Sequence, residues 1–250
     1  PMSDPKSVVS LSIHKGGSTI LDRILMSFIR EKGYEPDLIS QSFSGSAKHP
    51  QEILAERDPD MPRTGHYFGM IRTPHFKALT TALDELRVIA QVRDPRDCLT
   101  SAFFSFGISH KLPDDPAKRE QFLKQRQKII DDGIDPYVVA EAPGVRNRFM
   151  MVADLQKRHG DMLLLKYEDM VLDTEAWLEQ IAGFLDQPLN DAVRKGLGDK
   201  IDFTVKEEDV TSHKRQVTPG DHTRKLKPET IAELDRILAE PLDHFGYPRG

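Results

Sequence analysis

The stretch SLSIHKGGSTILDRIL, residues 10–25, reads as a strand, a glycine turn and an amphipathic helix. Residues 8–13 form a short β-rich run. Ile20, Leu21, Ile24, Leu25, Phe28 and Ile29 then recur at helical spacing, and Gly33 is placed to cap the helix. A buried strand that feeds a helix through two glycines presents backbone N–H groups to an anion. The pattern G-x-x-x-x-G-K-[ST] of ATP and GTP loops is absent, because Lys15 precedes Gly16 and Gly17 instead of following them. The turn suits a phosphate-like group under a different grammar.

Composition narrows the function class. With 250 residues the chain is long enough for a sizeable core, and it is read as one domain over 2–250, Pro1 ahead of Met2 being set aside. Hydrophobic residues at 38% and charged residues at 30% fit an ordinary globular protein. A formal charge of −5 argues against a nucleic-acid partner, so any polyanionic ligand must meet a local cluster of cations. Cys98 is the only cysteine, which excludes an internal disulfide and a multi-cysteine zinc site. No run reaches the roughly 18 apolar residues of a membrane span, and no signal segment is legible, so no membrane partner and a cytoplasmic location are expected. Oligomeric state stays open.

Along the chain, strands are expected at 67–72, 86–92 and 162–167. Helices are expected after Pro74 and at 96–107, 117–131, 136–158, 174–186, 189–197 and 228–240. The apolar run LRVIAQV, residues 86–92, suits a strand buried on both faces of a parallel sheet. Residues 34–66 read as a long loop with one short helix, and 105–136 as a polar, mobile segment ending in a helix. The alternation gives an α/β fold, a central parallel sheet flanked by helices, with ligands at the carboxyl ends of the strands.

Three stretches occupy such ends: HKGGST (14–19), RDPRDCLTS (93–101) and KYED (166–169). Singly, they read as a βα turn, an ion-paired turn and a strand-end core tyrosine beside a capping carboxylate. Together they resemble the sulfotransferases that use 3′-phosphoadenosine 5′-phosphosulfate (PAPS). That family carries a PKSGTTW-like loop after its first strand. Its second motif is an arginine ending a strand with a serine eight positions on, matched here by Arg93 and Ser101. The YED element recurs as Tyr167, Glu168 and Asp169, and RQVTPGDH keeps Arg215, Gly220 and Asp221 of the family's late R-K-G-x-x-G-D-W loop. Gln216, Val217 and His222 stand where that loop has Lys, Gly and Trp.

The resemblance implies a P-loop-like sulfotransferase fold and an enzyme that moves a sulfuryl group from PAPS to a hydroxyl or amine of a small-molecule acceptor, leaving PAP. Lys15, Gly16, Gly17, Ser18 and Thr19 would hold the 5′-phosphosulfate, and Lys15 would stabilise charge on the leaving phosphate oxygen. Arg93 and Ser101 would bind the 3′-phosphate, and Tyr167, Arg215 and Gly220 would complete the donor site. Phe203 matches the adenine-stacking phenylalanine, with a plain core role as the alternative. The two anionic ends need two separate cation clusters, which Lys15 and Arg93 supply, so no metal is expected.

In place of the family's K-T-H the chain has Arg72-Thr73-Pro74-His75. His75 is the expected general base, with His14, His110 and a carboxylate as alternatives. Segments 34–66 and 105–136 are expected to cover the acceptor, with Phe43, Phe68, Phe76, Phe103, Phe104 and Phe106 as an apolar lining. Two other functions compete. A P-loop kinase of a small metabolite would need a lysine after the second glycine, where Ser18 stands. The other is a PAP- or nucleotide-binding protein of the same fold without catalysis.

Overall fold

The computed structural model of the chain describes residues 5–203 and 217–250. They fall into two compact units, Pro1–Arg93 with Met151–Asp202, and Asp94–Met150 with Phe203–Gly250.

The first unit holds a five-stranded parallel sheet of β1 (Val8–Ser12), β2 (Glu35–Asp37), β3 (His66–Arg72), β4 (Arg87–Val92) and β5 (Met162–Lys166), in the order β2-β3-β1-β4-β5. Val8 lies opposite Tyr67 on one side and Arg87 on the other, and Val88 lies opposite Met162. The central strands are apolar because both their faces are covered: Val8, Val9, Leu11, Tyr67, Phe68, Val88 and Ile89 are fully buried. With β3 and β4 flanking β1, the segments leaving these three strands emerge side by side at one sheet edge. In an open parallel sheet that edge receives ligands.

Helix α1 (Ser18–Lys32) packs on β1, β2 and β3 and buries Leu21, Ile24, Leu25, Phe28 and Ile29. Gly33 ends it in the left-handed region at φ 78°, which a glycine adopts without Cβ strain. The 34–66 segment is more structured than a loop. It contains edge strand β2, a 3₁₀ turn at Ile39–Phe43, α2 (Pro50–Arg57) and a 3₁₀ turn at Asp58–Asp60. After Pro74 comes only a 3₁₀ turn, His75–Ala78, in place of the expected helix.

In the second unit α3 (Pro95–Phe104) stops short of the expected 107, giving way to a π-helical turn at Ser105–Ser109. Helix α4 (Pro116–Asp132) follows with no buried residue, and the long α5 (Ile134–Arg158) begins here and ends in the first unit. The first unit continues with α6 (Tyr167–Leu172), α7 (Thr174–Leu185) and α8 (Asp191–Leu197), where Trp177 is fully buried. The second closes with α9 (Asp221–Lys225), α10 (Pro228–Ile237) and α11 (Ala239–Phe245). The single helix expected at 228–240 is thus two, broken at Leu238. Among the described residues no helix is long and apolar enough to cross a membrane.

Candidate active site at the strand ends

The β1–α1 turn is the centre of the site. Gly16 N–H donates to Ile13 O at 2.9 Å, closing the turn. Lys15 then takes φ 66° and Gly17 φ 84°, both left-handed. For a lysine that conformation is uncommon, and such strain gathers at functional sites. Gly17 is obligatory on two counts, since an added Cβ would also meet Tyr167 Cδ2 at 2.8 Å. Helix α1 starts with no side-chain cap and no acidic residue in its first turn. Its N-terminal N–H groups and its dipole, worth about half a positive charge, therefore face the turn.

Neighbouring strands hold this turn in place. Gln91, fully buried on β4, donates from Nε2 to Gly16 O at 2.9 Å. Arg93, just past β4, donates from Nη1 to Lys15 O at 3.3 Å. Its guanidinium stacks 4.3 Å from the Tyr167 ring centroid. On the other side Arg72, at the end of β3, places Nε and Nη2 each 3.3 Å from Ser18 Oγ. Arg72 and Arg93, on either side of the Lys15 turn, thus bring three basic residues to one end of the sheet in a chain whose overall charge is negative.

His75 follows Arg72 closely and is half-buried. Its ring lies 5.4 Å from that of His49 and 6.4 Å from that of Phe43. Burial, then the charge of His49, then that of Arg72, holds its pKa below the ordinary 6.5. The imidazole therefore stays neutral through neutral pH, the state in which it can accept a proton.

Of the expected site residues, Lys15, Gly16, Gly17, Ser18, Arg93 and Tyr167 are drawn together in the first unit, with Thr19 exposed on the first turn of α1. Tyr167 opens α6 instead of ending the strand. In the second unit Ser101 lies on α3, Phe203 is half-buried and Gly220 precedes α9 at φ 85°. Arg215 lies outside the described residues.

The second unit has its own anchor for the late loop. Asp97 Oδ2 accepts from Gly220 N–H at 2.8 Å, while Oδ1 accepts from His222 N–H at 2.9 Å and lies 2.6 Å from His222 Nδ1. Arg96, beside it, is buried against Asp94 and Asp235, both at 2.7 Å. A cleft of about 420 Å³ is lined by Phe106, Phe122, Arg126, Ile129 and Tyr137, among others. Of the expected aromatic lining, Phe106 is here, whereas Phe68 and Phe76 are core residues of the first unit.

Sequence reasoning did not single out Gln91, Asp97 and His222 as site-forming, and it treated Arg72 only as part of a motif. A glutamine inside an otherwise apolar buried strand was the available signal for Gln91. The Asp97–His222 pair had none, because 125 positions separate its members.

Comparison with known proteins agrees with this geometry. A mouse sulfotransferase crystallised with PAP superposes with a TM-score of 0.62 at 16% identity, covering 96% of this chain and 85% of that one. Retinol dehydratase, crystallised with androsterone and PAP, gives 0.57 at 15%, covering 97% and 82%. The sulfotransferase domain of the Synechococcus PCC 7002 olefin synthase gives 0.51 at 16%, covering 99% and 98%. At these identities the likeness is one of fold. No curated protein sequence matches the chain. The sulfotransferase domain model matches residues 5–246, nearly the whole length. With the anion-ready turn and its ring of cations in place, the chain belongs to the sulfotransferase family.

Proposed function

We propose that this sulfotransferase takes its sulfuryl group from PAPS and passes it to a hydroxyl or amine of a small-molecule acceptor, residues 2–250 acting as one catalytic domain. The observation that carries the reading is the left-handed Lys15–Gly17 turn, tied by its own carbonyls to Gln91 and Arg93. The residues fit the donor. A turn without room for a Cβ at Gly17 leaves backbone N–H groups for one anionic end, and Arg93 supplies a planar fork for the other. PAP bound to the mouse and retinol dehydratase neighbours supports the same choice.

When bound, PAPS supplies an activated sulfuryl group on a phosphate leaving group. The protein then has mostly to position and to neutralise, as in phosphoryl transfer. Lys15 offsets the charge developing on the oxygen between sulfur and the leaving phosphate. Ser18 and Thr19 hold the 5′-phosphate through their hydroxyls, and Arg72 orients Ser18 while adding a second cation. Arg93, stacked on Tyr167, takes the 3′-phosphate. Ser101, Phe203, Arg215 and Gly220 keep the donor-site roles that the resemblance gives them. His75 receives the acceptor's proton, its lowered pKa keeping it available as a base. Segments 34–66 and 105–136 cover the acceptor.

Turnover of sulfur-labelled PAPS against a library of phenols, alcohols and amines tests the reading. Label in an acceptor, with an equal amount of PAP released, is the expected result. Binding of PAP without transfer to any acceptor would favour a non-catalytic binding protein, and phosphoryl transfer from ATP–Mg²⁺ a kinase.

A further inference from the structure

His49 caps α2. Gln51 N–H donates to His49 Nδ1 at 3.3 Å, and His49 N–H donates to Glu52 Oε2 at 2.8 Å, so the residue closes a reciprocal capping box. Because Nδ1 accepts, the neutral ring carries its proton on Nε2. The same ring stands edge-on to His75, at 5.4 Å and 75°, and Phe43 closes the socket.

His75 Nδ1 is buried with no hydrogen-bond partner among the described residues. A protonated His75 would therefore carry a buried N–H with nothing to receive it, a cost that a ring with a bare Nδ1 avoids. The groups whose charge reaches His75 are His49, on the cap of α2, and Arg72, on the end of β3; neither is a carboxylate.

We infer that His49 is a positioning residue for His75: its ring, set by the α2 cap, and Phe43 hold the imidazole in a socket that keeps its Nδ1 buried and unprotonated. The inference rests on the reading of His75 as base. It gives the 34–66 segment a second task besides covering the acceptor. That task is to keep the base neutral in mildly acidic conditions. Burial is the largest of the causes that hold the His75 pKa down, and His49 and Phe43 form part of the wall that buries it.

The substitution His49→Asn separates ring from cap, since asparagine is among the preferred N-cap residues and keeps an acceptor for the α2 amides. The His75 imidazole is titrated by NMR in the wild type and in His49→Asn, its signal assigned by its loss in His75→Ala. The pH profile of kcat/KM is recorded in parallel. In His49→Asn the socket opens to water, and the His75 midpoint should rise by about half a unit towards its ordinary value. The acid limb of kcat/KM should rise with it while KM for PAPS holds. An unchanged His75 midpoint overturns the inference, whatever the activity. A His75→Ala enzyme with full activity and an intact acid limb overturns the base reading instead, and the NMR midpoints still decide whether His49 acts on His75.

Discussion

Lys15 carries two loads at one position. Its side chain is the proposed electrostatic catalyst, and its backbone adopts φ 66°, which costs an L-residue about 1–2 kcal/mol against its usual conformations. The carbonyl contact from Arg93 and the neighbouring Gly16–Ile13 bond hold it there. Glycine would accept that backbone freely, so Lys15→Gly separates the two loads. It should lower kcat by roughly 10²–10³, the cost of losing one transition-state donor. Its urea midpoint should stay level or rise. A near-normal kcat would take the side chain out of the chemistry, and a fall in stability would mean that the side chain itself braces the turn. Residues of this kind were legible in the sequence because their pattern is local: two glycines and a lysine between a strand and a helix suggest an anion site once the Arg93 and Tyr167 stretches stand beside them. Gln91, Arg72 and Asp97 were not, since each acts on a turn that only the folded sheet, or the second unit's own packing, brings to it.

At the scale of elements, the strands and long helices could be read from the chain wherever burial dictates the pattern. Strands β1, β3 and β4 are mostly apolar because both their faces are covered, and the apolar run at 162–165 marks β5, of which only Leu165 is buried. Strand β2 has the sequence Glu-Pro-Asp, pairs only at the sheet edge, and gave no signal. The break between α10 and α11 was equally silent, since Pro241 falls in the first turn of α11, where a proline needs no amide partner. One buried carboxylate ties the 34–66 segment to the residues that precede β4. Asp58 Oδ2 accepts from Thr80 N–H, Thr80 Oγ1 and Thr81 N–H at 3.1, 3.2 and 2.8 Å, and Oδ1 from Ala82 N–H at 2.7 Å. Burial alone would raise the Asp58 pKa, but these hydrogen bonds outweigh it and hold the group below its ordinary 3.8. Its contribution is therefore present above pH 3.8 and lost as pH falls through the lower folded value. Asp58→Ala should cost about 2 kcal/mol at neutral pH, because the buried Ala82 N–H and the part-buried donors of Thr80 and Thr81 lose their acceptor together. The gap to wild type should narrow in acid. Urea denaturation at pH 7 and at pH 2–3 checks both points, and a gap that is small at pH 7, or unchanged in acid, would assign that tie to other contacts.

The whole molecule is net negative at −5, yet Lys15, Arg72 and Arg93 meet at one end of its sheet. Such a local cluster on an acidic chain suits a compact ligand with two anionic groups better than a long polyanion, and the family is legible from residue spacing while the acceptor is not. Binding residues lie mostly on loops carried by a rigid scaffold, and the shape of such loops emerges only after folding. Calorimetric titration of PAP into the protein in EDTA, with wild type beside Arg93→Ala, goes to the centre of the donor-site claim. The wild type should bind one PAP per chain without metal. Arg93→Ala should remain folded and bind more weakly by roughly 2–5 kcal/mol, about 30- to 4,000-fold, as when one partner of a desolvated charge pair is removed. Equal affinities in the two proteins, or binding that appears only with Mg²⁺, would contradict a donor site built on Arg93.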